Sequence, residues 1–337
     1  MQFNETLKEL ILARSVSGSE GEIAALIRKL AAPMADEIQM DVMGNLIAHR
    51  RGPGRRMMVM AHMDSIGFIA TYISPEGMIR VGAVGGVSPA QVLYQPVVFQ
   101  NGVKGIVCKD GKASWEKLSV GDLYLDIGAE NREEAMKMVE IGDTATFLAS
   151  LFPAGGRVVA PYLDDRIGCL VLLMAMNQMG KSDNDIYFVF STQEEVGLRG
   201  AKTAAWAIEP EYALAVDVTP AKEPGNAEKA KGSTVLGGGA AIKVMDKSII
   251  CHPSMVSLLK DLARERNIPV QMDVLKSGGT DAGSIHVSRG GVITGGISVP
   301  IRYAHTPSEM GDMWDVTAAV DLLIACLEHP FSAANLK

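Results

Sequence analysis

From residue 157 onward, short apolar runs alternate with helix-length stretches, and this alternation restricts the possible folds more than any other feature of the chain. A strand is followed by a helix over 165–179, a strand over 186–190, a helix over 199–207 and a strand over 212–216. After a loop rich in Lys, Gly and Ala come a strand-like run at 241–244, a helix over 254–266, strands at 269–274 and 292–298, and a helix over 315–328. The pattern predicts an α/β fold of three layers, a mostly parallel sheet with helices on both faces. Residues 1–65 read as helices followed by strands, opening with an amphipathic helix in which Phe3, Leu7, Leu10 and Ile11 alternate with Glu5, Lys8 and Glu9.

Residues 66–156 follow another rule. Short β-like runs (68–73, 79–81, 97–99, 105–108, 122–127, 144–147) are separated by turn signals such as Pro75-Glu76-Gly77, Gln100-Asn101-Gly102 and Lys109-Asp110-Gly111. This spacing predicts a small β-barrel, with one short helix over 132–139. The barrel is expected as an insertion (66–156) in a discontinuous α/β domain (1–65 plus 157–337), because the segments on either side carry one site.

An apolar fraction of 47% and a charged fraction of 21% describe an ordinary globular chain. The longest purely apolar run, Cys169 to Met176, is far short of the roughly 20 residues that cross a bilayer. The amphipathic start lacks the pattern of a secretory leader. Four scattered cysteines with no C-x-x-C pair predict reduced thiols and a cytoplasmic setting. A net charge of −7, with basic residues dispersed apart from Arg50, Arg51, Arg55 and Arg56, argues against nucleic acid as a partner.

Five potential metal ligands sit at strand ends, where open α/β sheets place their chemistry. His62 follows the run Met57 to Met60, Asp164 follows Val158-Val159-Ala160, and Glu195 follows Ile186 to Phe190. Asp217 ends Tyr212 to Val216, and His305 lies beyond the segment 292–299. Each has an ordinary reading: a structural His, a helix N-cap Asp, a solvated acidic pair, a turn former, a loop residue. Their coincidence points instead to a dinuclear metal centre. Asp64, two residues after His62, is placed to orient that imidazole. In Asp164-Asp165 one carboxylate could bridge two cations while the other pairs with Arg166 or holds the loop. Glu194, beside a ligand but aimed elsewhere, has the position of a general base. Gly278-Gly279-Thr280-Asp281-Ala282-Gly283 is a glycine-rich turn in which Asp281 is a candidate for shaping the substrate pocket. His49, His252, His286 and His329 lack such partners and are assigned structural or surface roles. Gly237-Gly238-Gly239 lacks the Lys-Ser/Thr of a phosphate loop.

These blocks resemble the glutamyl and deblocking aminopeptidases, cytoplasmic co-catalytic metallopeptidases of clan MH that often build tetrahedral shells. The resemblance rests on Ala61-His62-Met63-Asp64 with Gly67-Phe68, Leu163-Asp164-Asp165-Arg166 with Gly168, and Gln193-Glu194-Glu195-Val196-Gly197-Leu198-Arg199-Gly200-Ala201. It continues through Val216-Asp217-Val218-Thr219, the Gly278–Gly283 turn, and Arg302-Tyr303 with His305, Pro307 and Glu309, in family order and at about family spacing. It implies one divalent ion on His62, Asp217 and bridging Asp164, and a second on Glu195, His305 and the same Asp164. Zinc or cobalt is expected. Glu194 would be the base, Asp64 the support of His62, and the family pattern favours Asp164 over Asp165 as the bridge. It further implies peptide substrates with a free N-terminus and a homo-oligomer, from dimers through the barrel up to a dodecamer. Two departures stand out: Ser65 where relatives commonly carry an acid, and Leu236-Gly237-Gly238-Gly239-Ala240-Ala241-Ile242 in place of the usual L-G-x-G-P-A-I. Three alternatives stay open: a deacylase or another exopeptidase on the same centre, a glycan hydrolase, and a non-catalytic metal-binding scaffold.

Overall fold

A computed structural model describes residues 3–222 and 234–331. Its framework is an eleven-stranded mixed sheet with helices on both faces. At its centre four parallel strands lie side by side in the order Asp185–Ser191, Arg56–His62, Tyr212–Pro220 and Ile293–Arg302. Arg56–His62 is buried at every position after Arg56, as expected of a strand covered on both faces. Antiparallel strands flank this centre: Glu37–Met40 and Leu46–Arg50 on one side, Glu309–Asp312, Arg157–Ala160 and Phe152–Ala154 on the other. Ala240–Met245 runs antiparallel to Ile293–Arg302 and carries the parallel edge strand Val270–Val274.

One face of the sheet is covered by the helices Phe3–Leu12, Leu163–Gln178, Pro253–Glu265 and Met313–Glu328, which enclose the main core. The opposite face packs on Arg199–Ile208 and Ala282–Ile285 through Met58, Met60, Val189, Ala204 and Ile285. Parallel pairing aligns the carboxyl ends of the central strands at one edge. Ser191 lies opposite His62, and Asp217 opposite Ser298. The sequence therefore delivers its acid and imidazole side chains to a common height.

The six expected β-runs of the middle region close on themselves as a barrel in the order Gly67–Ile73, Ile79–Val84, Leu123–Asp126, Lys104–Lys109, Pro96–Phe99, Thr144–Phe147. Phe68, Phe99, Val107, Leu125 and Phe147 fill it. The intervening helix is Arg132–Met136, shorter than expected from sequence. Phe152–Ala154, within the compositionally distinct stretch, pairs with Arg157–Ala160 and so belongs to the large sheet. The intervening Gly155 has φ +64°, a tight-turn conformation natural to glycine. Composition marks such a hairpin but says nothing about which sheet it joins. The loop rich in Lys, Gly and Ala lies largely outside the described residues.

Candidate metal centre

His62 is the last residue of its strand and is 2% exposed. Its Nδ1 lies 3.2 Å from the main-chain carbonyl oxygen of Asp64. A carbonyl oxygen only accepts, so Nδ1 carries hydrogen and Nε2 is turned toward the carboxylates. There Nε2 lies 3.0 Å from Asp164 Oδ1 and 4.0 Å from Asp217 Oδ1. The Asp64 carboxylate, 3.5 Å from Nδ1, is mainly occupied elsewhere. It accepts from the Ser17 hydroxyl (2.6 Å) and from the main-chain N–H groups of Glu194 (3.0 Å) and Glu195 (3.3 Å). Asp64 therefore holds the His62 ring with its backbone and the Glu194–Glu195 turn with its side chain.

Leu163–Gln178 begins with two residues off helical geometry, Asp164 (φ −78°, ψ 106°) and Asp165 (φ −119°, ψ 43°), and their side chains take different partners. Asp164 divides its oxygens between two imidazoles: Oδ1 faces His62, and Oδ2 lies 3.3 Å from His305 Nε2. Asp165, fully buried, accepts from the backbone N–H of His62 (3.2 Å) and of Gly168 (2.9 Å). It holds the loop, while Arg166 binds Ser15 Oγ (2.6 Å) and the carbonyls of Ala13 and Met63.

His305 Nε2 also lies 3.6 Å from Glu195 Oε2. Ligand atoms of His62, Asp164 and Glu195 fall within 4.8 Å of one another, and so do those of His62, Asp165 and Asp217. In the second group it is Asp165 that stands beside His62 and Asp217, although its oxygens already accept from two backbone donors.

The electrostatics have one dominant cause: carboxylates crowded away from water. Burial, with Asp164 close by, pushes Glu195 up to about 8. Burial, with Asp164 again adding repulsion, pushes Asp217 up to about 7. Glu194 is driven well above the usual carboxylate range by burial, reinforced by Asp217, Asp281 and Glu195. Burial acts upward on Asp164 too, but hydrogen bonds from His305 and His62 outweigh it and hold this carboxylate low. The hydrogen bond to Asp164 raises His305 to about 10. Five carboxylates and two imidazoles converging with so little compensating charge form a cradle for cations.

On these observations the comparisons with known proteins become decisive. The model of the family described as M42 glutamyl aminopeptidase matches residues 44–322. The chain belongs to that family. A protein of Acetivibrio thermocellus, itself only provisionally assigned as an aminopeptidase, is 46% identical over 324 residues, covering 96% of this chain and 98% of its own. The lysyl aminopeptidase of Pyrococcus furiosus is 37% identical over 344 residues, covering 96% of each. The TET1 peptidase of Pyrococcus horikoshii, which can assemble into a tetrahedron or a large octahedral shell, superposes with a TM-score of 0.86 at 31% identity, over 97% of this chain and 99% of that one. As an M42 member the protein is a peptidase, a hydrolase of peptide bonds.

The seven residues His62, Asp64, Asp164, Glu194, Glu195, Asp217 and His305 gather at one edge of the sheet. Asp281 lies beneath them, 3% exposed, with Oδ2 accepting from Ser191 Oγ (2.5 Å). The other histidines stand apart: His49 pairs with Asp185 and stacks on Tyr187, His252 caps Pro253–Glu265, His286 contacts the Ala282 carbonyl, and His329 packs on Phe331. The basic cluster is likewise structural. Arg51, Arg55 and Arg56 pair with Glu37, Glu211 and Glu209, and Arg50 donates to the carbonyls of Met176 and Gly180. Sequence reasoning left Glu309 without a role, yet its carboxylate accepts from the backbone N–H of both His305 (2.7 Å) and Asp164 (3.0 Å). Its place four residues after His305 was the available signal. Ser17 and Glu20, which accepts from Gln193 N (3.2 Å), gave none.

Proposed function

We propose that the protein is a dinuclear-metal aminopeptidase that removes the N-terminal residue of peptides. The observation that carries this reading is the division of Asp164 between two imidazoles, Oδ1 toward His62 and Oδ2 toward His305. The donor set suits the group. One ion would be held by His62, Asp217 and Asp164, the other by Glu195, His305 and Asp164. Mixed nitrogen and oxygen donors accord with zinc or cobalt. When bound, such a pair supplies Lewis-acid polarisation of the scissile carbonyl and lowers the pKa of water.

Glu194 is the general base. Its backbone is held by Asp64, and its half-buried carboxyl is strongly disposed to take up a proton. The carboxylate receives the proton of the attacking water and returns it to the leaving amine nitrogen. The surrounding carboxylates bind the substrate's free α-ammonium and so restrict cleavage to chain ends. Asp281, through Ser191, shapes the pocket from below rather than touching the substrate side chain. By analogy with the shell-forming P. horikoshii enzyme and with a TET1 structure described as a dodecamer, we assign a homo-oligomeric state built from dimers and reaching a dodecamer. The four free thiols agree with a cytoplasmic setting, and among the described residues no helix is long and apolar enough to cross a membrane.

The deciding experiment is hydrolysis of aminoacyl-anilides and their N-acetylated counterparts, before and after chelation and with zinc or cobalt restored. Cleavage of the free-amine set alone, lost with chelator and regained with metal, is the expected result and names the preferred first residue. Cleavage of the acetylated set would transfer the site to a deacylase.

A further inference from the structure

The two imidazoles of the centre are supported in different ways. His62 is held from within its own strand end, by the Asp64 carbonyl two residues on. His305 stands on a loop with φ +61° and leaves 37% of its side chain exposed. Its ring is held by a residue far away in sequence: Nδ1 lies 3.1 Å from the carbonyl oxygen of Gly86. Gly86 lies two residues beyond the barrel strand Ile79–Val84, as the second of a glycine pair. A Cβ on Gly86 would lie 2.5 Å from His305 Nδ1 and 2.9 Å from Cε1. A Cβ on Gly85, whose φ is +75°, would lie 3.2 Å from Glu195 Cβ and 3.3 Å from its Oε2. The pair therefore presses bare backbone against both His305 and Glu195, with Ile66 also against Gly85.

The geometry points to Gly86 as a positioning residue: its carbonyl fixes the His305 ring with Nδ1–H outward and Nε2 inward, so that the inserted barrel completes the Glu195–His305 half of the centre. A carbonyl acceptor on the remote nitrogen is the usual device for setting tautomer and orientation of a ligating imidazole, and removing such a partner typically weakens metal binding by about 10–100-fold. Glycine is required because any side chain would occupy the space of the ring. The His62 half needs no such help, since strand and support are one segment. The inference rests on the dinuclear reading proposed above.

The test uses full-length protein stripped of metal and titrated with cobalt(II), followed by calorimetry and by the visible absorption of each bound equivalent. The parent is compared with Gly86→Ala and with Gly156→Ala, a substitution at a hairpin glycine with open space around its would-be Cβ. The expected result is two equivalents in the parent and in Gly156→Ala. In Gly86→Ala one equivalent keeps its affinity and spectrum, while the other weakens by about 10–100-fold with an altered spectrum. Both equivalents binding Gly86→Ala as they bind the parent would overturn the inference. Fewer than two equivalents in the parent would overturn the dinuclear reading and the inference with it, and that failure is separate because it shows without any substitution. If Gly86→Ala does not fold, a crystal structure of the metal-loaded parent decides. Gly86 oxygen on His305 Nδ1 supports the assignment, and water or another acceptor there removes it.

Discussion

The large sheet and the barrel are both β-structures built by one chain, yet they contribute to the site in opposite ways. The sheet supplies side chains. Its central strands are buried on both faces by helices, so only their carboxyl ends open to substrate, and polar residues there share one height. The barrel supplies main chain. Its strands turn their apolar side chains inward, as in Leu123–Asp126, where Leu123 and Leu125 are buried and Tyr124 and Asp126 half-buried, and its core is closed around Phe68, Phe99 and Phe147. With its side chains committed inward or to its own surface, it reaches the centre through two glycines whose backbone can approach an imidazole closely. A site assembled this way has an intrinsic half at His62 and a dependent half at His305.

The strongest way to break this comparison is to remove the proton carrier that serves both halves. Glu194→Gln should lower kcat by about 10²–10⁴-fold while leaving metal content unchanged. Persistent activity in that variant, measured alongside metal analysis, would end the assignment of the base. Glu195→Ala acts on one half only: elemental analysis should find about one ion lost, and activity should fall with it. Loss of both ions would mean that the halves are not separable.

A gentler probe is Glu309→Gln, which weakens the carboxylate shared by the backbones of His305 and Asp164. It should reduce metal affinity by about 10-fold, within the range for partners of ligands, and more at the His305 half. Equal weakening at both ions in a cobalt titration would show that Asp164, not His305, depends on it.

The smallest expected effect is on pH and stability. In the metal-free protein Glu195 is raised from an ordinary 4.5 to about 8, and Asp217 from 3.8 to about 7. His305 is raised from 6.5 to about 10. Each group thus holds its proton more firmly in the folded than in the unfolded state, so stability falls as pH rises from about 4 through 10. Added zinc displaces those protons, and its affinity should climb over the same interval. Melting temperatures of chelated and zinc-loaded protein between pH 5 and 8 should therefore diverge. Parallel curves would show that these carboxylates are not the metal ligands.

Much of this molecule was legible beforehand because the informative signals are local. A buried parallel strand reads as an unbroken apolar run, and the residue that follows it falls at the sheet edge, which is how His62, Glu195 and Asp217 could be singled out. The six barrel strands were visible through their turns, where Gly77 and Gly102 adopt φ values of +83° and +91°. The hairpin at Gly155 was visible as a turn but not as part of the large sheet. Sheet membership is decided by which edge is free, and no local pattern encodes that.

The sequence by itself determined most of the order of strands and helices, the presence of a barrel beside the sheet, and the chemical types gathered at the sheet edge, since propensity and periodicity act within a few residues. Tertiary structure alone decided which atoms meet. It sorted Asp164 from Asp165 by giving the first two imidazoles and the second two backbone donors. It gave Asp64 a double task, joined the backbones of His305 and Asp164 through the Glu309 carboxylate, and brought Gly86 against His305. These are contacts between residues up to 219 positions apart, set to a fraction of an ångström by how the layers close.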